Sequence, residues 1–407
     1  MLLEAVRPGK GLSTNRWLAR ITLGLGLGLV LGVLLYLLRG EPAGSALFRG
    51  DFPAFYAAAE IVWTGRGSEL YDFDLQREVE NRHWPDFAGT YYIFAYPPFF
   101  ALLLAPLAAL TPLAAKTLAM FILFAALLGA LLLIRRTSPF VREHFALVLV
   151  LLVTFAPLQM ALFGVQNTRL TILLFSLVHW ASRQGFHVLA GFSAALMLYK
   201  PQFGALLFLF LLGGGQKNQL LGWGLGALTL YLLGTLVQGP SWPLIWLRAA
   251  TTFGDLDFTI NAGNMISLAG LLYLSGEAWQ GTGARLLPWA YGIAACLLLL
   301  AMVYVRRDPR RFVLAPHLVL WLSPQTLFYD IAVSLVCLVQ DFRAGSGRDL
   351  ILFGLLWLYG MVALLLRDGT SFPLFSPLLL SLLAIHMQRT RIKKTSPAPH
   401  TVGDHVL

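Results

Sequence analysis

LAAKTLAMFILFAALLGALLLI, Leu113 to Ile134, carries one charge, Lys116, and is otherwise an unbroken apolar run. A bilayer crossing takes roughly 20 apolar residues in a helix that satisfies its own backbone hydrogen bonds. This stretch has that length and no strand-like alternation. WLARITLGLGLGLVLGVLLYLL, Trp17 to Leu38, has the same character. It is too long for the 7–15-residue apolar core of a cleavable signal, so a retained first helix is expected. Further apolar runs at about 144–162, 168–182, 187–200, 202–214, 219–238, 286–305, 312–323, 328–341, 349–366 and 371–387 bring the expectation to about twelve spans. Those at 187–200, 202–214 and 312–323 fall short of a full crossing and are expected to pair around a cavity.

Composition agrees. Of 407 residues 57% are hydrophobic and only 12% charged, against about a quarter charged in globular domains. The chain reads as an all-α polytopic membrane protein, one integral membrane domain over 1–407. Its two cysteines, Cys296 and Cys337, sit inside apolar runs and read as small apolar side chains rather than a disulfide.

The formal charge of +10 follows the membrane. With the N-terminus inside, most of the 30 Lys and Arg fall on short cytoplasmic segments, including Arg135, Arg136, Arg142, Arg183, Lys217, Arg306, Arg307, Arg310 and Arg311. Most acidic residues fall on the other side. The positive-inside rule then predicts a multi-pass protein of the plasma (inner) membrane with both termini cytoplasmic and a cytoplasmic tail at 388–407. The basic excess is a topology signal. No basic stripe interleaved with stacking aromatics supports a nucleic-acid partner.

The outer side holds the unusual residues. A loop at about 39–112 is far longer than bundle connections need, and loops of that length are usually functional. It carries Trp63, Tyr71, Trp84, Tyr91, Tyr92 and Tyr96, then a run broken by Pro97, Pro98, Pro106 and Pro112. These features predict interfacial helices against the outer leaflet rather than a span. A second outer segment at about 239–285 includes Asn264. Short outer turns stand at Gly164–Arg169 with Gln166 and Asn167, at Tyr199–Gly204 with Lys200, and at Ser323–Asp330 with Gln325, Tyr329 and Asp330. A carboxylate, amide-rich turns, a lysine and a Tyr-Asp pair thus face one side of the bilayer, as a site for a substrate held at the lipid surface requires.

At the head of the long loop Asp51 stands in RGDFPAFY (Arg49–Tyr56). Two readings stay open: a cap for the helix that Phe-Pro-Ala starts, or a base acting at the membrane surface. Lys200, directly before Pro201, is either snorkelling or holding a phosphate. Asp255 and Asp257 have a D-x-D spacing that is common by chance, and no metal ligand set is assigned.

The ordered set GDFPAFYAAAEIVWTGRGSELYD (Gly50–Asp72), FAYPPFF (Phe94–Phe100), FGVQNTRLTILLF (Phe163–Phe175), GFSAALMLYKPQFGALL (Gly191–Leu207) and SPQ…YD (Ser323–Asp330) resembles glycosyltransferase family 87. The resemblance implies a GT-C fold and a polyprenyl-phosphate sugar donor, typically mannose. It also implies inverting transfer, no required cofactor or metal, and an acidic catalytic base in the first outer loop, which lands on Asp51. Where the family pattern has a histidine after Ser-Pro, this chain has Gln325.

The chemistry is consistent with one carboxylate. Transfer from a lipid phosphate to a hydroxyl needs a base for the acceptor proton and groups that hold the departing phosphate, which leaves as a stable anion. Glycoside hydrolysis, by contrast, needs two carboxylates. Expected partners are the polyprenyl-phosphate donor, a lipid or glycan acceptor, and membrane lipids. Gln166, Asn167, Lys200, Tyr96, Asn264, Gln325, Tyr329 and Asp330 are the candidate donor contacts. The rival classes are a secondary transporter or flippase, whose paired half-sequence symmetry and mid-membrane ionisable groups are absent, and a GT-C enzyme moving arabinofuranose or an aminosugar.

Overall fold

The computed structural model describes residues 50–87, 92–272 and 311–340, with 289, 292–297, 299–300, 342, 353–358 and 360. The expected spans at 17–38 and 371–387, the tail at 388–407, and most of 286–305 and 349–366 lie outside the described residues. Every named element among the described residues is helical. The single strand-like contact is an antiparallel bridge between Met265 and Leu327.

The long outer loop contains three helices: α1 (Phe52–Trp63), α2 (Phe73–His83) and α3 (Pro98–Leu104). Helix α3 lies in the stretch from Tyr96 to Pro112 that is expected to hold interfacial helices rather than a span, and it is too short to cross. Helix α1 is buried on nearly all sides, with Ala57, Ala58 and Ala59 fully enclosed, because three consecutive small residues let neighbours approach from every direction. Helix α2 is amphipathic and capped by Asp72, whose carboxylate accepts the N–H groups of Asp74 and Leu75.

Helix α4 (Pro112–Thr137) realises the Leu113–Ile134 span. The run at 144–162 divides into α6 (Phe145–Val153), which follows the short α5 (Pro139–Glu143), and α7 (Ala156–Phe163), bent by 63° at the break. Pro157 lies just inside α7 and cannot donate to the carbonyl one turn back, so the chain turns there instead of crossing straight. Next come α8 (Thr168–Arg183), α9 (His187–Leu196), α10 (Pro201–Gly214), α11 (Lys217–Gln238) and α12 (Trp242–Asn261). After them come α13 (Arg311–Leu322) and α14 (Ile331–Gln340).

Of the eight expected spans that fall among the described residues, two are helices long and apolar enough to cross, α4 and α11, and 144–162 is the bent α6–α7 pair. Those at 187–200, 202–214 and 312–323 are shorter apolar helices, as the sequence anticipates, as is the one at 328–341, and 168–182 is the 16-residue α8. Helices α4 and α11 expose Leu118, Phe121, Ile122, Leu132, Leu221, Leu225, Leu228, Leu232 and Leu236. A soluble protein does not leave such a belt in water. Helices α9 and α11 pack so closely that a Cβ on Gly222 would lie 2.0 Å from the Val188 carbonyl oxygen, and one on Gly191 1.8 Å from that of Gln219. Small residues at such a crossing are how membrane helices gain contact.

The turns sort to two ends of the bundle. At one end Gly67 meets Val237 at the close of α11, and the Trp246 indole N–H donates to the Ala95 carbonyl (2.8 Å). There too, Asp51 N–H donates to the Gly164 carbonyl (2.9 Å). At the other end Ser138 reaches the Val339 carbonyl, and Gln219 reaches Ser182. That second end carries Arg135, Arg136, Arg142, Arg183 and Lys217. The first carries the long loop and the polar turns.

Candidate active site

Asp51 is positioned by two glycines. Gly50 has φ +76°, and a Cβ there would sit 2.3 Å from Gly164 Cα. Only glycine combines that backbone with that approach. The contact seats the loop head on the turn between α7 and α8. That turn is a Schellman closure: Gln166 N–H donates to the Ala161 carbonyl (2.6 Å) and Val165 N–H to that of Leu162 (3.0 Å). Its left-handed position, usually glycine, is Val165 at φ 54°, a strained placement for a β-branched residue. The strain has a result: it presents Gln166 and Asn167 as neighbours at the mouth of α8.

Asp51 occupies the N-cap position of α1, yet its side chain makes no cap hydrogen bond. Its carboxylate instead receives Gln166 Nε2 (2.8 Å) and the Tyr96 hydroxyl (3.1 Å). This carboxylate is half-buried and turned off its own helix, which it does not cap. The capping reading is set aside.

Tyr96 is itself held from behind. Two side chains four residues apart on the buried face of α2 act as a surrogate strand for residues 92–96. Gln76 accepts Phe94 N–H (2.9 Å) and donates to the Phe94 carbonyl (3.3 Å), and Glu80 accepts Tyr92 N–H (3.0 Å). Tyr71 donates to the Tyr96 carbonyl (2.7 Å). The Tyr96 ring packs against Phe55, Phe94 and Phe100. Burial first, then the Asp51 charge, drive the Tyr96 phenol well above its ordinary range, so it stays a donor to Asp51. Glu80 is fully enclosed, and burial pushes its carboxyl up to about 8.

A second carboxylate lies across the α8 mouth. Asp330, 2% exposed, accepts the Thr168 hydroxyl (2.6 Å) and the Lys200 ammonium (3.2 and 3.3 Å). The Lys200 ammonium therefore faces a carboxylate inside the protein. Tyr199, next to Lys200, stacks on Phe100, shares a hydrogen bond with Thr171 and donates to the Asn167 carbonyl (3.4 Å). Asn167 is 3% exposed, and its Nδ2 has no partner.

The sequence candidates thus divide. Asp51, Tyr96 and Gln166 form one cluster, Lys200 and Asp330 another, and Asn167 lies between them. Gln325 contributes its backbone carbonyl to Ser323 and Gln202. Tyr329 is buried with its ring against Phe328. Asn264 closes a short turn one residue before the Met265–Leu327 bridge. No hydrogen bond joins its side chain to either carboxylate among the described residues. The side chains of Asp255 and Asp257 lie outside those described. Among the described residues no cluster of three metal-ligating side chains occurs.

The sequence candidates omit three contributors: Gln76, Glu80 and Thr168. Gln76 and Glu80 fall beside Leu75 and Val79 on the buried stripe of α2, but nothing local in the sequence marks what they hold. The pairing of Thr168 with Asp330 spans 162 positions and has no local signal either.

The model of glycosyltransferase family 87 matches residues 94–328, more than half of the chain. No curated protein and no solved structure matches it.

Proposed function

From the premise that the chain belongs to glycosyltransferase family 87, we propose that it transfers a hexose, mannose first among candidates, from a polyprenyl-phosphate donor to a lipid or glycan acceptor at the outer membrane face. The observation that carries the reading is the Asp51 carboxylate, turned from its helix and fixed by Tyr96 and Gln166 at the end of the bundle away from the basic turns. Asp51 takes the proton of the acceptor hydroxyl as that oxygen forms a bond to the anomeric carbon. The bond from that carbon to the phosphate oxygen breaks on the opposite face, so configuration inverts. Polyprenyl phosphate departs as an anion and needs no proton.

Asp330 is the poorer base. It is closed from solvent, and its oxygens are engaged by Lys200 and Thr168. Its part is to brace the wall behind Asn167. The apolar belt on α4 and α11 supplies the lipid contact a polyprenyl chain needs. A GT-C architecture with cytoplasmic termini fits this placement, since the donor is then met from the outer leaflet.

The test uses purified protein in lipid nanodiscs with polyprenyl phosphomannose or GDP-mannose. Transfer from the lipid donor alone is the expected result. Turnover with the nucleotide sugar and none with the lipid donor overturns the proposal, and preference for a polyprenyl phosphopentose reassigns the sugar.

A further inference from the structure

Helix α12 (Trp242–Asn261) has the 20 residues a crossing needs, yet it is not among the helices apolar enough to cross. It carries Arg248, Asp255 and Asp257. It starts directly after α11, at the end of the bundle that holds the long loop. Its first turn folds back on α11: the Trp242 indole N–H donates to the Tyr231 carbonyl (3.0 Å), and a Cβ on Gly234 would lie 2.7 Å from that ring.

The two faces of its first half differ. Trp242, Trp246 and Ala249, spaced four and three apart, share the inward face. The Trp246 indole N–H donates to the Ala95 carbonyl (2.8 Å), and the Trp242 ring meets that of Phe99 edge-on (5.9 Å between centroids). These contacts fall on either side of Tyr96, whose hydroxyl is on Asp51. On the other face Leu244, Leu247, Arg248 and Thr251, spaced as one helical stripe, are exposed, the two leucines by 64% and 51%.

That exposed face continues the apolar belt of α11, which ends at Leu236, 77% exposed, just before the turn that joins the two helices. A helix too polar to cross, leaving the end of a spanning helix with leucines and an arginine on its free face, has the pattern of one lying in the plane of a lipid surface. Leucines then reach the acyl boundary, and the arginine extends to the headgroups.

We propose that α12 docks on the phospholipid surface, with Leu244 and Leu247 at the acyl boundary and Arg248 on headgroup phosphates, and that its inward tryptophans transmit this seat to Tyr96. The second half rests on the reading of Asp51 as the base. Withdrawal of α12 from the lipid shifts Ala95 and Phe99, and with them the hydroxyl that orients Asp51, so transfer requires the seated helix.

The test places nitroxide labels at Leu244→Cys, Leu247→Cys and, as a reference in water, Ser68→Cys, in the full chain with Cys296→Ala and Cys337→Ala. Collision with oxygen and with a nickel chelate is measured in phosphatidylcholine nanodiscs. Labels at 244 and 247 should meet oxygen freely and the chelate at least fivefold less than the label at 68, and Arg248→Glu should raise chelate access at 247 at least twofold. Chelate access equal to that at 68 overturns the lipid seat, and exclusion of both reagents overturns it in favour of a protein covering this face. Turnover from a polyprenyl phosphosugar checks the coupling. Leu244→Ser with Leu247→Ser, and separately Trp246→Phe, which keeps the ring and removes the donor, should each lower kcat at least fivefold with melting temperatures close to wild type. Unchanged kcat in both overturns the coupling. A wild type without turnover overturns the transferase reading and the coupling with it, while the label accessibilities still decide the lipid seat.

Discussion

At the scale of the residue, Asp51 separates the two readings its sequence context left open. A capping aspartate is interchangeable with asparagine, whereas a base is not. Because the Asp51 side chain takes no N–H of α1, Asp51→Asn is expected to leave the melting temperature within about a degree and to lower turnover by roughly 10²–10⁴-fold. Initial rates with a polyprenyl phosphosugar, measured beside a thermal melt, check both halves; near-normal turnover removes Asp51 from the mechanism. Lys200 is the contrary case. Its pairing with Asp330 predicts that Lys200→Met lowers stability by about 3–5 kcal/mol, because a buried carboxylate is stranded. Lys200→Met with Asp330→Leu should recover most of that, and denaturant melts of the two variants decide it. The Lys200–Asp330 pairing was not legible in sequence, since both residues carry satisfactory local explanations 130 positions apart.

At the scale of the element, α2 shows how an outer helix controls a site it does not touch. Its Asp72 cap and apolar stripe are readable from sequence, but Gln76 and Glu80 look there like ordinary polar helix formers. Only the return of residues 92–96 along α2 makes them the frame that sets Tyr96 against Asp51. Glu80 carries a pH consequence. Its carboxyl, at about 8 when folded and near 4.5 when unfolded, holds its proton longer in the folded state. The folded chain thus binds more protons across that interval, and stability falls as pH rises from about 4.5 to about 8, then levels. One group changes the unfolding free energy by at most about 1.4 kcal/mol per pH unit. Glu80→Gln should remove this slope and raise the melting temperature at pH 8 relative to wild type while leaving pH 5 nearly unchanged. An unaltered slope in melts at the two pH values would assign the titration elsewhere. The α7–α8 turn makes a related point, because a valine in the left-handed position is no turn signal by propensity and is imposed by what Gly164 and Gln166 must reach.

At the scale of the whole molecule, the two ends of the bundle differ in kind. The basic turns share one end, and the long loop, the α7–α8 turn, the close of α11 and the late Ser323–Asp330 segment share the other. The charge rule predicts that the basic end is the cytoplasmic one. Ser68, exposed on the long loop, is the place to ask. Ser68→Cys should react with an impermeant thiol reagent in intact cells, and labelling only after permeabilisation would reverse the orientation. Gly67 is unsuited to that probe, since a side chain there would run into Val237.

The membrane class, the helical secondary structure, the sidedness of the polar turns and the candidate status of Asp51 were determined by the sequence alone. Each depends on composition, on apolar run length or on charge placement, quantities that need no neighbour in space. The reach of a helix across the bilayer was less legible: the 144–162 run has the length of a span, but Pro157 turns it through 63°. Tertiary structure decided the rest: that α1 is core, that Asp51 meets Gln166 across 115 positions, that Lys200 pairs with Asp330, and that Arg169 is buried with no ion-pair partner among the described residues. These are facts about which groups share a desolvated volume, and the energy of a charge or an amide there depends on partners that local sequence does not specify.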